Sequence, residues 1–147
     1  MPLTKRIAIS LACAIALTAT ACSHRRLAEA PLPDGTQAIA PGPDVPVSLA
    51  AFSGAWHGYW GGELDSLLVV ERISPTGEAT GVYAWGADPG GEFRNGNMTF
   101  QGTIANGKLS FGNRVRFDFA MQGDGTLLCE RTIDGKPDDH AVMVKVP

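Results

Sequence analysis

The residues of this chain that could do chemistry are three histidines, three cysteines and a dense group of aromatic rings. His24, His57 and His140 lie far apart, and none falls in an HExxH or His-x-His spacing that would turn two imidazoles toward one zinc ion. No Gly-x-Ser-x-Gly elbow and no phosphate-cradling glycine loop occurs, because the glycines stand in turn or strand contexts. Asp138-Asp139-His140 has the residue types of a metal or triad fragment, yet it closes the turn-rich stretch DGKPDD (134–139), which reads as solvated. These residues point away from catalysis and give no metal or cofactor site. One carboxylate stands out: Glu71 interrupts an apolar run, and if it faces a core it needs a partner such as Arg131.

Binding chemistry is better represented. Residues 54–62 read GAWHGYWGG, with two indoles, a phenol and an imidazole spaced by glycines. In a strand Trp56, Gly58 and Trp60 share one face, while Ala55, His57 and Tyr59 share the other. The sequence leaves open which face is inside, and tryptophans inward would leave His57 beside solvent. Trp60, Tyr83 and Trp85 are the candidate ligand-binding residues, at the open end of whatever encloses them. Trp56, Phe100, Phe111, Phe117, Phe119 and Arg131 are the candidate structural core.

Those rings must be positioned by strands. Turn chemistry recurs at GGELD (61–65), SPTGE (74–78), GADPGGEFRN (86–95), ANG (105–107), GN (112–113), QGDG (122–125) and DGKPDD (134–139). The eight intervening runs, 54–60, 66–73, 79–85, 96–104, 108–111, 114–121, 126–133 and 140–146, are rich in β-branched and aromatic residues. Their spacing predicts an all-β fold. Around Asn106-Gly107 the pairing sets Ala105 against Lys108 and Ile104 against Leu109. Around Gly123-Asp124-Gly125 it sets Met121 against Leu127, Phe119 against Cys129, Phe117 against Arg131 and Val115 against Ile133. Around Pro75–Gly77 it sets Ile73 against Ala79, Val69 against Tyr83 and Leu67 against Trp85. Each register brings the apolar side chains to one face. An eight-stranded antiparallel up-and-down β-barrel satisfies this pattern and removes exposed edges; a two-sheet β-sandwich is the alternative. A barrel of eight strands is just filled by side chains or holds one small ligand. Eight large rings favour filling, with a residual pocket at the open end as the other outcome.

The N-terminus is read as an address. Lys5 and Arg6 precede the uncharged run IAISLACAIALTATA, shorter than the ~20 residues a spanning helix needs. Ala19-Thr20-Ala21-Cys22 resembles the bacterial lipobox, with alanine where leucine is usual. The resemblance implies cleavage before Cys22, its acylation by lipid chains such as palmitate, and membrane attachment through it. In a Gram-negative cell, Ser23 in the next position resembles the sorting signal of lipoproteins that move on to the periplasmic face of the outer membrane. Ordinary secretion with a free Cys22 is the alternative. The expected division is residues 1–21 as a signal peptide, 22–50 as a lipidated cysteine with a proline-rich tether expected to be disordered, and 51–147 as one barrel domain. Losing Cys13 with the signal and Cys22 to lipid leaves Cys129 without a disulfide partner, in an apolar strand. The net charge of −3 becomes −5 once Lys5 and Arg6 are removed, and no basic cluster offers itself to nucleic acid.

Gly54-Ala55-Trp56, opening an eight-strand meander, resembles the Gly-x-Trp signature of the calycins: lipocalins, fatty-acid-binding proteins and avidins. The resemblance spans the order of elements over 54–146. It implies a barrel with Trp56 inside near the closed end, Arg131 as the arginine that covers the indole, and a small apolar or aromatic ligand or another envelope component as partner. The small barrels that inhibit bacterial metalloproteinases resemble this chain in size and early Gly-x-Trp. Their blocking segment precedes the barrel and corresponds here to residues around 27–50. They usually carry a disulfide that this chain cannot form. A purely structural envelope lipoprotein is the third expectation.

Overall fold

The computed structural model describes residues 29–88, 90–92 and 94–147. The expectations for the signal peptide and for Cys22 lie outside the described residues. Eight antiparallel strands follow one another: β1 Gly54–Trp60, β2 Leu64–Ile73, β3 Glu78–Trp85, β4 Gly96–Ala105, β5 Lys108–Gly112, β6 Val115–Met121, β7 Leu127–Ile133 and β8 Lys136–Val146. Each pairs with the next and β8 returns to β1, closing the barrel and excluding the sandwich.

Local chemistry sets the register. Asn106 and Gly107 both have positive φ (51° and 73°), the conformation of a two-residue primed turn, and Ala105 faces Lys108 as expected. The β6–β7 pairs Met121–Leu127, Phe119–Cys129, Phe117–Arg131 and Val115–Ile133 also form as expected. Two places differ from the sequence reading. In β2 the register shifts between Val70 and Arg72, so Glu71 is a bulge residue. Beyond it Leu68, not Val69, faces Tyr83, and Ser66, not Leu67, faces Trp85. Ser66, Leu68 and Val70 therefore point inward. Glu71 lies outside the lumen, without Arg131; its carbonyl accepts the N–H of Ile39 at 2.8 Å. The second difference is at β8. Asp134 and Gly135 (φ 49° and 76°) form a two-residue turn, and the strand begins at Lys136 instead of 140. Pro137 fits there because the ladder breaks beside its partner Thr132, between Arg131 and Thr132.

The lumen is filled from below. Phe100 stacks on Phe111 at 4.3 Å, Phe111 lies 5.4 Å from both Phe117 and Phe119, and all four rings are buried. Leu68, Leu109, Leu127, Cys129 and Met143 close the space between them. Gly81 lies opposite Phe100, and a Cβ there would meet that ring at 2.9 Å and collide with the Val69 carbonyl oxygen. A bare backbone is what lets the ring lie across the strand. Strand β1 turns its tryptophans inward: Trp56 is 1% and Trp60 2% exposed. Trp56 lies near the closed end and donates its indole N–H to the Phe52 carbonyl at 2.9 Å.

Residues 29–53 pack against the barrel. Val45 and Phe52 join the core, and the short helix α1 (Val47–Ala50) sits beside them, with Leu49 near the β2–β3 turn at Gly77. Before them the chain forms a strap up the outer wall, with Ile39 bonded to Glu71 and the Ala30 N–H donating to Asp65 Oδ2 at 2.7 Å. Asn97 donates to the Pro31 carbonyl at 3.0 Å. Val69, Val82 and Ala84 face outward by register yet are buried, and the strap's bonds bracket that patch. Prolines block a regular ladder but not docking by side chains and isolated backbone bonds.

The β4–β5 pairing is short. It covers only Thr103–Ala105 against Ser110–Lys108, although β4 runs up to Gly96. The seam opens as a groove of about 870 Å³ beside Phe100 and Phe111, with Gln101, Thr99 and Arg116 among its polar walls.

Candidate functional site

At the end of the barrel opposite α1, the strands diverge around a cavity of about 790 Å³. Trp60 from the end of β1, Tyr83 and Trp85 from β3, Met98 from β4 and Phe117 from β6 line it. The three rings singled out as ligand candidates thus converge on one void, above the filled layer of phenylalanines. Trp85 is only half-buried, and its indole N–H donates to the Arg94 carbonyl at 2.9 Å, fixing the ring at the rim. Tyr83 lies 4.7 Å from Phe117 and 6.0 Å from Trp85, centre to centre.

The polar atoms of this floor are satisfied internally. Trp60 donates its indole N–H to the Tyr83 hydroxyl, and Ser66 Oγ lies 3.4 Å from the same oxygen. Burial raises the Tyr83 hydroxyl above its ordinary pKa, with the hydrogen bonds to Ser66 and Trp60 acting in the opposite direction. The phenol stays neutral at physiological pH and serves to hold Trp60 in place.

Arg131 differs from its expected role. Its guanidinium stands 5.3 Å from the centre of Trp60, not over Trp56, because β7 carries it to the open end. The cation beside Trp56 is Lys145, at 5.2 Å, which also donates to the Ala51 carbonyl at 3.2 Å. Arg131 Nε is 2.6 Å from Asp138 Oδ2, so the guanidinium is held between a carboxylate and an indole face.

The remaining charged residues of the lining are acidic. Glu63, Asp88 and Asp139 join Asp138 around the opening. Sequence reading had set Asp138 and Asp139 in a solvated turn; with the turn at Asp134-Gly135, both fall in β8. Asp139 pairs with Arg131 across the ladder, and Asp138 occupies the register break. The Asp-Gly dipeptide was the signal that could have found them. Glu63, in the β1–β2 turn, and Asp88, in the β3–β4 loop, carried no such signal.

Other chemistry lies outside the cavity. His57 projects outward and its Nε2 is 2.6 Å from Asp65 Oδ1, while Oδ2 of the same carboxylate accepts from Ala30. This pair fastens the strap, and among the described residues His57 has no hydroxyl or thiol partner. Cys129 is inward and fully buried, and burial pushes its thiol far above the ordinary range. Among the described residues no group of three or more His, Cys, Asp or Glu side chains gathers at metal-binding geometry. Compared with known protein families, curated proteins and solved structures, the chain matches none.

Proposed function

We propose that this chain is a non-enzymatic, calycin-like binding protein of the cell envelope, and that the mouth of its barrel takes a small apolar or aromatic ligand. The observation that carries this reading is the void of about 790 Å³ above an otherwise filled lumen, with Trp60, Tyr83, Trp85 and Phe117 along its wall. Ligand sites are concave, largely apolar and roughly 300–1,000 Å³, and this ring-lined mouth has that character. Lipidation of Cys22 and anchoring in the cell envelope, at the periplasmic face of the outer membrane in a Gram-negative cell, form part of the same proposal. Glu29 follows Cys22 by seven positions, about 25 Å at full stretch, so the barrel would ride close to its anchor. The alternative of a proteinase inhibitor needs residues 27–50 free to enter a cleft; bonds from Ala30, Pro31 and Ile39 to the barrel speak for the ligand reading.

Titration with the neutral probe N-phenyl-1-naphthylamine tests the ligand reading. Saturable one-to-one binding with a shift in tryptophan emission is expected, weakened about ten-fold by Trp85→Ala, equivalent to about 1.4 kcal/mol. No saturable binding across a panel of neutral aromatic and aliphatic probes refutes it. Cys22→Ala should release the protein from membranes, and unchanged membrane association refutes the anchor.

A further inference from the structure

We infer that the mouth selects ligands that carry a positive charge on an apolar or aromatic body; the inference rests on the ligand reading above and narrows its ligand to organic cations. The charge of the lining is lopsided. Among the described residues it contains four carboxylates, Glu63, Asp88, Asp138 and Asp139, and one cation, Arg131, and the asymmetry rests on Glu63 and Asp139, since Asp88 has a partner of its own. Asp138 is committed to Arg131. Glu63 and Asp139 form no ion pair among the described residues. These two lie on one side of the opening, where the β1–β2 turn meets β8; Asp139 Oδ2 is 3.8 Å from where a Cβ on Gly61 would stand.

The floor beneath suits the same ligand. Aromatic faces attract cations through their quadrupole, and the half-buried Trp85 and the ring of Tyr83 line the cavity below the carboxylates. The barrel already contains one such arrangement: the Arg131 guanidinium is sandwiched between Asp138 and the face of Trp60. An ammonium or amidinium group entering beside Asp139 and Glu63 would meet the same pairing of carboxylate and ring. A cleft lined by one sign of charge and walled by apolar groups concentrates counter-ions of the other sign. The same field opposes a carboxylate ligand, so a fatty-acid anion is disfavoured. The acidic collar fits an organic cation whose apolar body fills the void.

A matched series isolates the charge. Binding of 1-naphthylmethylamine, 1-naphthylmethanol and 1-naphthoate to the full-length protein is measured by isothermal titration calorimetry at pH 7. The amine should bind at least ten-fold more tightly than the alcohol, and the naphthoate most weakly. Raising salt from 0.05 to 0.5 M should narrow the gap, because partly exposed charges are screened. In a Glu63→Gln/Asp139→Asn chain, checked for native near-ultraviolet dichroism, the amine-to-alcohol ratio should fall to within about two-fold. Equal or reversed affinities of amine and alcohol overturn the charge inference while the ligand reading stands. A ratio unchanged in the double variant also overturns it. Failure of all three compounds to bind refutes the ligand reading and this inference with it.

Discussion

Replacing Tyr83 by phenylalanine removes one oxygen atom and nothing else, which makes it a sharp test of how the mouth is held. The ring itself should stay, because its neighbours Phe117 at 4.7 Å and Phe111 at 6.2 Å do not depend on the hydroxyl. What is lost is the acceptor for the Trp60 indole N–H, on a side chain only 2% exposed. Ser66, fully buried, loses the same partner at 3.4 Å, so its hydroxyl adds to the loss. The cost is that of a buried donor left without a partner, about 1–3 kcal/mol. At roughly 4 °C per kcal/mol for a chain of this size, Tm should fall by about 4–12 °C. Urea unfolding followed by far-ultraviolet dichroism gives the free energy without relying on the perturbed indole. The m-value should be unchanged, because the same surface is exposed on unfolding. The exposed Tyr59→Phe serves as control and should stay within about 0.5 kcal/mol of the parent. A Tyr83→Phe loss below about 0.5 kcal/mol would refute the idea that this hydroxyl fixes Trp60.

Phe52 precedes the first strand yet is fully buried, so Phe52→Ala should cost about 3–5 kcal/mol in urea unfolding; a near-neutral result would detach the segment from the core. The Cys129 thiol is raised by burial, and in a chain lacking residues 1–21 with Cys22→Ser it should resist Ellman's reagent until urea unfolds the barrel; fast native reaction would contradict its burial. Asp118 is held below its ordinary pKa: burial works to raise it, but the hydrogen bonds from Arg116 and Ser110 prevail. A depressed folded pKa means stability that is present above about pH 4 and lost as pH falls further, so Asp118→Asn should flatten the acid limb of a stability–pH curve; an unchanged limb would remove Asp118 from the account.

The β6–β7 hairpin and the Asn106-Gly107 turn were legible because turn chemistry and apolar alternation agree there, and each fixes the other. The β2–β3 pairing was legible only at Ile73–Ala79. Beyond it Glu71 inserts one extra residue, and a bulge leaves no mark in a pattern where Leu67, Leu68, Val69 and Val70 are all apolar. Both faces of β2 are apolar because both are covered, one by the lumen and the other by the strap. That cover could not be foreseen from a stretch rich in proline, since nothing in its composition states that Ala30 and Ile39 find partners on β2. At the mouth the rings were readable from their faces. The acidic collar was not, because Glu63, Asp88 and Asp139 come from three separate connections and elements that only closure of the barrel brings together.

The brief overlap of β4 with β5 sets where this cylinder yields first. Five of the eight junctions are joined over seven or eight residue pairs, β5–β6 over five and β8–β1 over four, whereas this one rests on three. Backbone amides along β5 and the upper part of β4 should therefore exchange with solvent ahead of those in β2 and β3. A transient parting there would expose the stacked Phe100 and Phe111 sideways, giving a flat solute a lateral route into the lumen while the other seven junctions stay zipped.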